Sequence, residues 1–487
     1  MTTAAAKPRT FAGVFRSAGL VVVARVVAAP ISILVNAVAA RALGPGDFGV
    51  VYQALTFSTF VFLFVEWGQP NVLTARVATR SAPVGELLGS AIASRVCAAV
   101  IAGCLVLSIC ELTGYHRGFV LVMTLTMLTA TFATISGACQ DVLRGFERAE
   151  IAAGSFMAFQ LLSAAIVVPT LLLGGGLYGL LTAQVAAAAA GVLFLLKMLP
   201  RMRVPRLVLR IGIMKDLFRD GRPFLALAIV LAAQRLIDAA MLSKLAAPQT
   251  IGWYGAAVKL IGALIFPASA LILALYPTLC RLRMESTEAF GSTAAEALYV
   301  VALGVLPMAL GCALFPELGV ALFGRSSYGP AVADLRVLAM YVFLVYFSMP
   351  IGSCLVASGR QRSWTVVQTA SLVVSLVLDP LLILRFQAHG GNGGLGVCVA
   401  SVVSEIFVVG GGLAVLPAGI LPKVPWGKIG RMLASAAAMA AVAMAARGLE
   451  EVLQACLALL AYALCLQISG AFDFVELRTF LGALKAR

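Results

Sequence analysis

Four cations stand where the chain is otherwise apolar: Arg25, Arg95, Arg235 and Lys259. A charge near the centre of a bilayer costs about 3 kcal/mol or more, so such residues face a polar pathway or a partner. The chemistry open to them is the holding of an anionic group, not the making or breaking of bonds. Asp238, three residues after Arg235 and on the same helical face, and Glu405 are their acidic counterparts. An intramembrane carboxylate marks an ion or proton route, or else the partner of a cation.

Depth separates these residues. Arg25 and Arg95 each follow a charged boundary, Arg16 and Glu86, by nine residues, which puts them about 13 Å deep at 1.5 Å per residue. Either side chain can also snorkel back toward the nearer surface. Pro30 denies a backbone bond to the carbonyl of Val26, so a kink is expected beside Arg25. Asp238 and Lys259 lie at similar depth across one hairpin. They form either a buried pair or a place where Asp238 holds a coupling cation or proton. Glu405 has no partner visible in the sequence, and Asp379 stands beside Pro380.

Helices must position all of these groups. Hydrophobic residues make up 61% of the 487 and charged residues 12%, with a mean hydropathy of +1.01, which defines a polytopic membrane protein. Apolar runs long enough to span a bilayer fall at 17–40, 48–68, 87–110, 119–140, 151–173 and 177–196. Others follow at 223–245, 253–280, 294–315, 332–356, 364–386, 395–416, 430–446 and 449–469. The fold class is therefore all-α, with about 14 transmembrane helices.

With the N-terminus cytoplasmic, 25 of the 36 Lys and Arg fall on the cytoplasmic side and seven on the other. Both termini are expected in the cytoplasm. This bias, together with attraction to anionic membrane lipids, accounts for the net charge of +15, and nucleic acid is not expected as a partner. The first apolar run is too long for a signal peptide and reads as a retained helix. The ten cysteines form no CxxC pair, and His116 and His389 lie in separate loops, so neither a disulfide framework nor a metal centre is expected.

An internal repeat organises the spans. The turn Gly44-Pro45-Gly46-Asp47-Phe48-Gly49 returns 203 residues later as Ala247-Pro248-Gln249-Thr250-Ile251-Gly252. Gly145 and Arg148 match Gly359 and Arg362, and Gly175-Gly176-Leu177 matches Gly393-Gly394-Leu395. Each repeat holds six spans, so two six-helix lobes are expected, related by a pseudo-two-fold axis along the membrane normal. Residues 1–196 form the N-terminal lobe, 197–222 a basic cytoplasmic linker, and 223–416 the C-terminal lobe. Residues 417–487 add two further helices and a tail. Within the linker, Ile211 to Phe218 has the pattern of an amphipathic interfacial helix. No phosphate loop, GxSxG elbow or HExxH helix is present, and the loops leave no room for a catalytic domain, so the chain is not read as an enzyme.

The sequence resembles the polysaccharide transporter family of the multidrug/oligosaccharidyl-lipid/polysaccharide (MOP) flippase superfamily, which includes O-antigen flippases. The resemblance rests on Ala40 to Gly49, Leu143-Arg144-Gly145-Phe146, Asp238 followed by Ile251 to Lys259, Leu322-Phe323-Gly324 with Tyr328, and Ala357 to Gln361. It implies alternating-access transport of an undecaprenyl-pyrophosphate-linked oligosaccharide across the bacterial cytoplasmic membrane. It further implies that Arg25 and Arg235, then Lys259 and Arg95, hold the anionic head group, with no cofactor beyond Na⁺ or H⁺ coupling or the membrane potential. A polysaccharide polymerase complex is the implied protein partner. The alternative is a cation-coupled multidrug or small-molecule exporter of the same superfamily.

Overall fold

The computed structural model describes residues 11–114, 117–146, 148–198 and 206–471. Side chains are described throughout these except at 11–27, 149, 226–227, 230–231, 235, 270, 273–274 and 277. Among the described residues the chain is helical, without strands, and it divides into two compact units, Met1–Ala240 and Met241–Arg487.

The first unit holds α1 (Phe11–Glu66), α2 (Gln69–Ala78), α3 (Val84–Leu112), α4 (Arg117–Gly145), α5 (Ala149–Leu172), α6 (Gly176–Met198) and most of α7 (Ile211–Leu245). The second holds α8 (Pro248–Glu285), α9 (Thr287–Leu314), α10 (Pro316–Ala321), α11 (Ala331–Ala357), α12 (Gln361–Gly390), α13 (Gly393–Ala414), α14 (Trp426–Ala445) and α15 (Glu451–Ile468). Twelve helices are long and apolar enough to cross a membrane among the described residues. Counting the two arms of α1 separately and adding α7, which contains the expected seventh span, gives the fourteen read from hydropathy.

Local chemistry sets the ends of these helices. The continuous α1 breaks at Gly44, whose φ of 72° and ψ of 172° suit glycine, and Pro45 opens the second arm. The break therefore falls at Gly44, and the first arm runs on through Pro30. At the repeated position Pro248 is the first residue of α8, where a missing N–H costs nothing. Gly396 lets α13 close on α12: a Cβ there would stand 2.5 Å from the carbonyl carbon of Leu382.

Among the described residues two short α-helices, α2 and α10, lie between the spans, and α2 is the one that matters for the first unit. It follows an elbow in which Trp67 and Gly68 both take left-handed backbone conformations, with φ of 49° and 68°. Val72, Leu73 and Val77 of α2 share a core with Leu87 and Leu88 of α3, Val142 of α4 and Leu217 of α7. The start of α7 is thus not a separate interfacial helix. It runs on through Pro223, and Leu217 is drawn into protein. Arg76 clasps the same segment through Asp220 at 2.7 Å and Asp216 at 3.7 Å, and Trp67 Nε1 donates to the Phe218 carbonyl at 3.0 Å. In the second unit α14 and α15 cover α9, with Met432, Met439 and Tyr462 packed beside Ala302 and Leu306.

Candidate functional site

In the first unit the polar interior is built on α3 and α4. Arg95 has no exposed surface at all, so each guanidinium nitrogen must find a protein acceptor. All three do. Nη2 meets Asp141 Oδ2 at 3.1 Å, Nη1 donates to the Thr134 carbonyl at 2.9 Å, and Nε donates to Gln69 Oε1 at 3.4 Å. Asp141 also pairs with the half-exposed Arg144 at 3.2 Å. The Thr134 hydroxyl donates to Glu66 Oε1 at 3.1 Å, and the Ser94 hydroxyl to Gln69 Oε1 at 3.2 Å. One ion pair and its hydrogen bonds therefore tie the end of α1, the start of α2, α3 and α4 together. Arg95 does not snorkel, because Asp141 and the Thr134 carbonyl meet it inside the bundle.

A cavity of about 350 Å³ lies between α4, α5 and α6. Gly137, Gln140, Ser136 and Ser155 give it a polar side, and Phe156 and Phe159 an apolar one. Gly137 also faces Arg95: a Cβ on it would stand 3.7 Å from Nη1.

Of the other expected head-group residues, Arg25 and Arg235 sit on α1 and α7, with side chains outside the described residues. Lys259, on α8, is partly buried, and among the described residues neither a hydrogen bond nor an ion pair reaches it. It thus differs, among the described residues, from Arg95, which Asp141 meets at 3.1 Å.

The carboxylates fare differently again. Asp238 is buried on α7. Glu405 has a partner that the sequence did not reveal: the buried Ser348 hydroxyl on α11 donates to its Oε1, joining α13 to α11. Asp379, fully buried, accepts from Ser375 one helical turn earlier at 3.0 Å.

Sequence reasoning missed three buried or bonded acids: Glu66, Asp141 and Asp334. Each stands within about a turn of a helix end, where a charge reads as the border of a span. The available signal was the Asp141/Arg144 spacing of three, which places both on one face and hints at a cation nearby. Among the described residues no group of three or more His, Cys, Asp or Glu is placed to hold a metal ion.

Twelve apolar helices long enough to cross a membrane among the described residues, with charged side chains buried between them, define a polytopic membrane protein. The chain belongs to the polysaccharide biosynthesis protein family, whose model matches residues 14–283, more than half of the sequence. Its fold is that of the MOP superfamily. The structure of the lipid II flippase MurJ in an inward closed conformation aligns with a TM-score of 0.73 at 13% identity, covering 92% of this chain and 98% of that one. An inward-facing multidrug resistance MATE family transporter of the MOP superfamily aligns at 0.59 and 16% identity, over 81% and 93% of the two chains. A MOP superfamily transporter from Pyrococcus furiosus, described as having a binding pocket of reverse polarity, aligns at 0.56 and 14% identity, over 84% and 94%. No curated protein matches the chain by sequence.

Proposed function

We propose that the protein is a flippase carrying an undecaprenyl-pyrophosphate-linked oligosaccharide across the bacterial cytoplasmic membrane by alternating access, for cell-surface polysaccharide synthesis. The observation that carries this reading is Lys259, an intramembrane ammonium with no counter-charge among the described residues, in a chain of the polysaccharide biosynthesis family. An uncompensated cation at that depth is costly unless an anion visits it. A pyrophosphate supplies that anion, and the polyprenyl tail can remain in lipid. Arg25 and Arg235 are the other head-group ligands in this reading. Arg95 instead holds α1 to α4 in register, since its donors are committed to Asp141, Thr134 and Gln69.

Asp238 and Glu405 are the residues that would exchange Na⁺ or H⁺ as the units move, with the membrane potential as the other available driving force. No bond is broken in the cycle, so the protein is not an enzyme. Both termini lie in the cytoplasm, and a polysaccharide polymerase complex would receive the product on the far side.

The test is transport in proteoliposomes containing a fluorescent lipid-linked oligosaccharide, scored by the accessibility of the head group from outside. Wild-type protein should move the lipid faster than protein-free vesicles, Lys259→Ala should slow it at least tenfold, and Lys259→Arg should retain part of the rate. The fold shared with multidrug resistance transporters supports a second reading, cation-coupled export of small molecules. Ion-driven movement of a cationic dye without movement of the lipid would favour that reading over ours.

A further inference from the structure

At the N-terminal end of α11, Asp334 is completely buried, and Asn392, just before α13, is 8% exposed. The Asn392 amide uses both of its hydrogens: Nδ2 donates to Asp334 Oδ1 at 2.8 Å and to the Pro330 carbonyl at 3.2 Å. Those two acceptors fix which way the amide points. Its oxygen, Oδ1, is then left buried with no donor, and so is the second carboxylate oxygen, Asp334 Oδ2. Both orphaned oxygens face one spot beside Gly394: a Cβ on that glycine would meet Asn392 Oδ1 at 3.1 Å and Asp334 Oδ2 at 3.3 Å.

Two buried acceptors lying against the same glycine, neither with a hydrogen-bond partner, call for a donor or a cation. A water could donate to both, but it would leave a full negative charge enclosed with the Asn392 amide as its one hydrogen-bond donor. Burial of an uncompensated carboxylate costs far more than a lost hydrogen bond. A positive charge satisfies both requirements at once.

The surrounding ionisable groups do not supply it. Arg336, two residues along α11, pairs with Glu317 of α10 at 3.1 Å, and Arg325 pairs with Glu451; both arginines are exposed and both glutamates partly so. Arg385 and His389 on α12 are exposed. From α8 the site meets Tyr254, and Tyr328 is buried in the turn before α11. Among the described residues no ion pair reaches Asp334.

We propose that Asp334 Oδ2 and Asn392 Oδ1 form a binding site for one small monovalent cation, a proton or Na⁺, separate from Asp238 and Glu405. The single carboxylate charge suits a monovalent guest. A proton would sit on Asp334 and be donated to Asn392, whereas Na⁺ would bridge the two oxygens and complete its shell with water. Occupancy locks the α12–α13 turn onto α11, and loss of the cation leaves a repulsive pair of acceptors that loosens it. The site stands on this geometry whatever lipid or solute the protein carries.

The test uses purified full-length protein in lipid nanodiscs, with thermal unfolding followed against NaCl at constant ionic strength in choline chloride, and separately against pH. A site occupied only in the folded state raises the folded-to-unfolded ratio tenfold for each tenfold rise in cation above the dissociation constant. Asp334→Asn replaces Oδ2 by an N–H donor that reaches Asn392 Oδ1 directly, mimicking the filled site. Its stability should therefore match that of the cation-saturated wild type and lose this dependence. Asn392→Ala removes the second oxygen together with the N–H that donates to Asp334 Oδ1, and should weaken the apparent Na⁺ affinity at least tenfold while strengthening proton uptake by Asp334. A wild-type response to Na⁺ at fixed pH assigns sodium, and a response to protons alone assigns the proton. If neither cation changes the wild type, or if wild type and both variants respond alike, the site does not exist.

Discussion

Replacing Asp141 by alanine should cost more stability than any other single change to a charged residue in the first unit. Arg95 would keep its bonds to the Thr134 carbonyl and Gln69 Oε1 but lose the carboxylate 3.1 Å away, with no exposed surface through which water could replace it. Stranding one member of a buried pair costs about 3–5 kcal/mol. The accompanying loss of the half-exposed Arg144 contact adds little, about 0–1 kcal/mol. For a unit of this size the total corresponds to a fall in apparent melting temperature of about 6–24 °C. Scanning fluorimetry of detergent-purified protein measures it. The control is Arg95→Met with Asp141→Leu, which removes both charges and should recover to within about 2 kcal/mol of wild type. A coupling energy near zero in that cycle, or a single-variant loss below about 1 kcal/mol, would show that the pair does not hold the bundle together.

Arg25→Ala should abolish complementation of a strain lacking the transporter while leaving membrane insertion intact on an immunoblot; unchanged complementation would remove Arg25 from the head-group path. Gly396→Ala should destabilise the protein by about 1–3 kcal/mol in the same melting assay, because its Cβ would overlap the Leu382 backbone. The Arg76 hydrogen bond holds the exposed Asp220 carboxyl below its ordinary value. Its stabilising contribution is therefore complete above about pH 4, the unfolded value, and disappears as pH falls through the lower folded one. Emission from Trp67, read in a variant whose other tryptophans are replaced by Phe, should report the loosening of its contact with Phe218, and Arg76→Gln should remove that acid-dependent part.

Most of the spans were legible because a bilayer demands about 20 apolar residues whatever their packing. The expected run 119–140 lies within α4, and the run 332–356 within α11. The repeated turn was legible too, because Pro45 and Pro248 both stand where a helix opens and both sites have the same local requirement. Hydropathy failed for α2 and α10, which are too short to raise a window average. It also failed for the start of α7, whose apolar stripe suits a lipid surface and a protein groove equally well.

The polar interior was less legible. Arg95 and Asp141 are 46 residues apart in sequence, and nothing local pairs them. Glu405 finds a serine, a residue too common to announce itself, and Asp334 finds an asparagine beyond the next helix. Charges near helix ends are the hardest to read: one turn separates a solvated border from a buried partner.

The most direct measurement is head-group translocation of a lipid-linked oligosaccharide by the reconstituted protein, wild type beside Lys259→Ala. Transport well above the protein-free rate, and at least a tenfold loss in the variant, are the expected results. Lipid movement no faster than in empty vesicles, or an undiminished rate in Lys259→Ala, would contradict the proposed function.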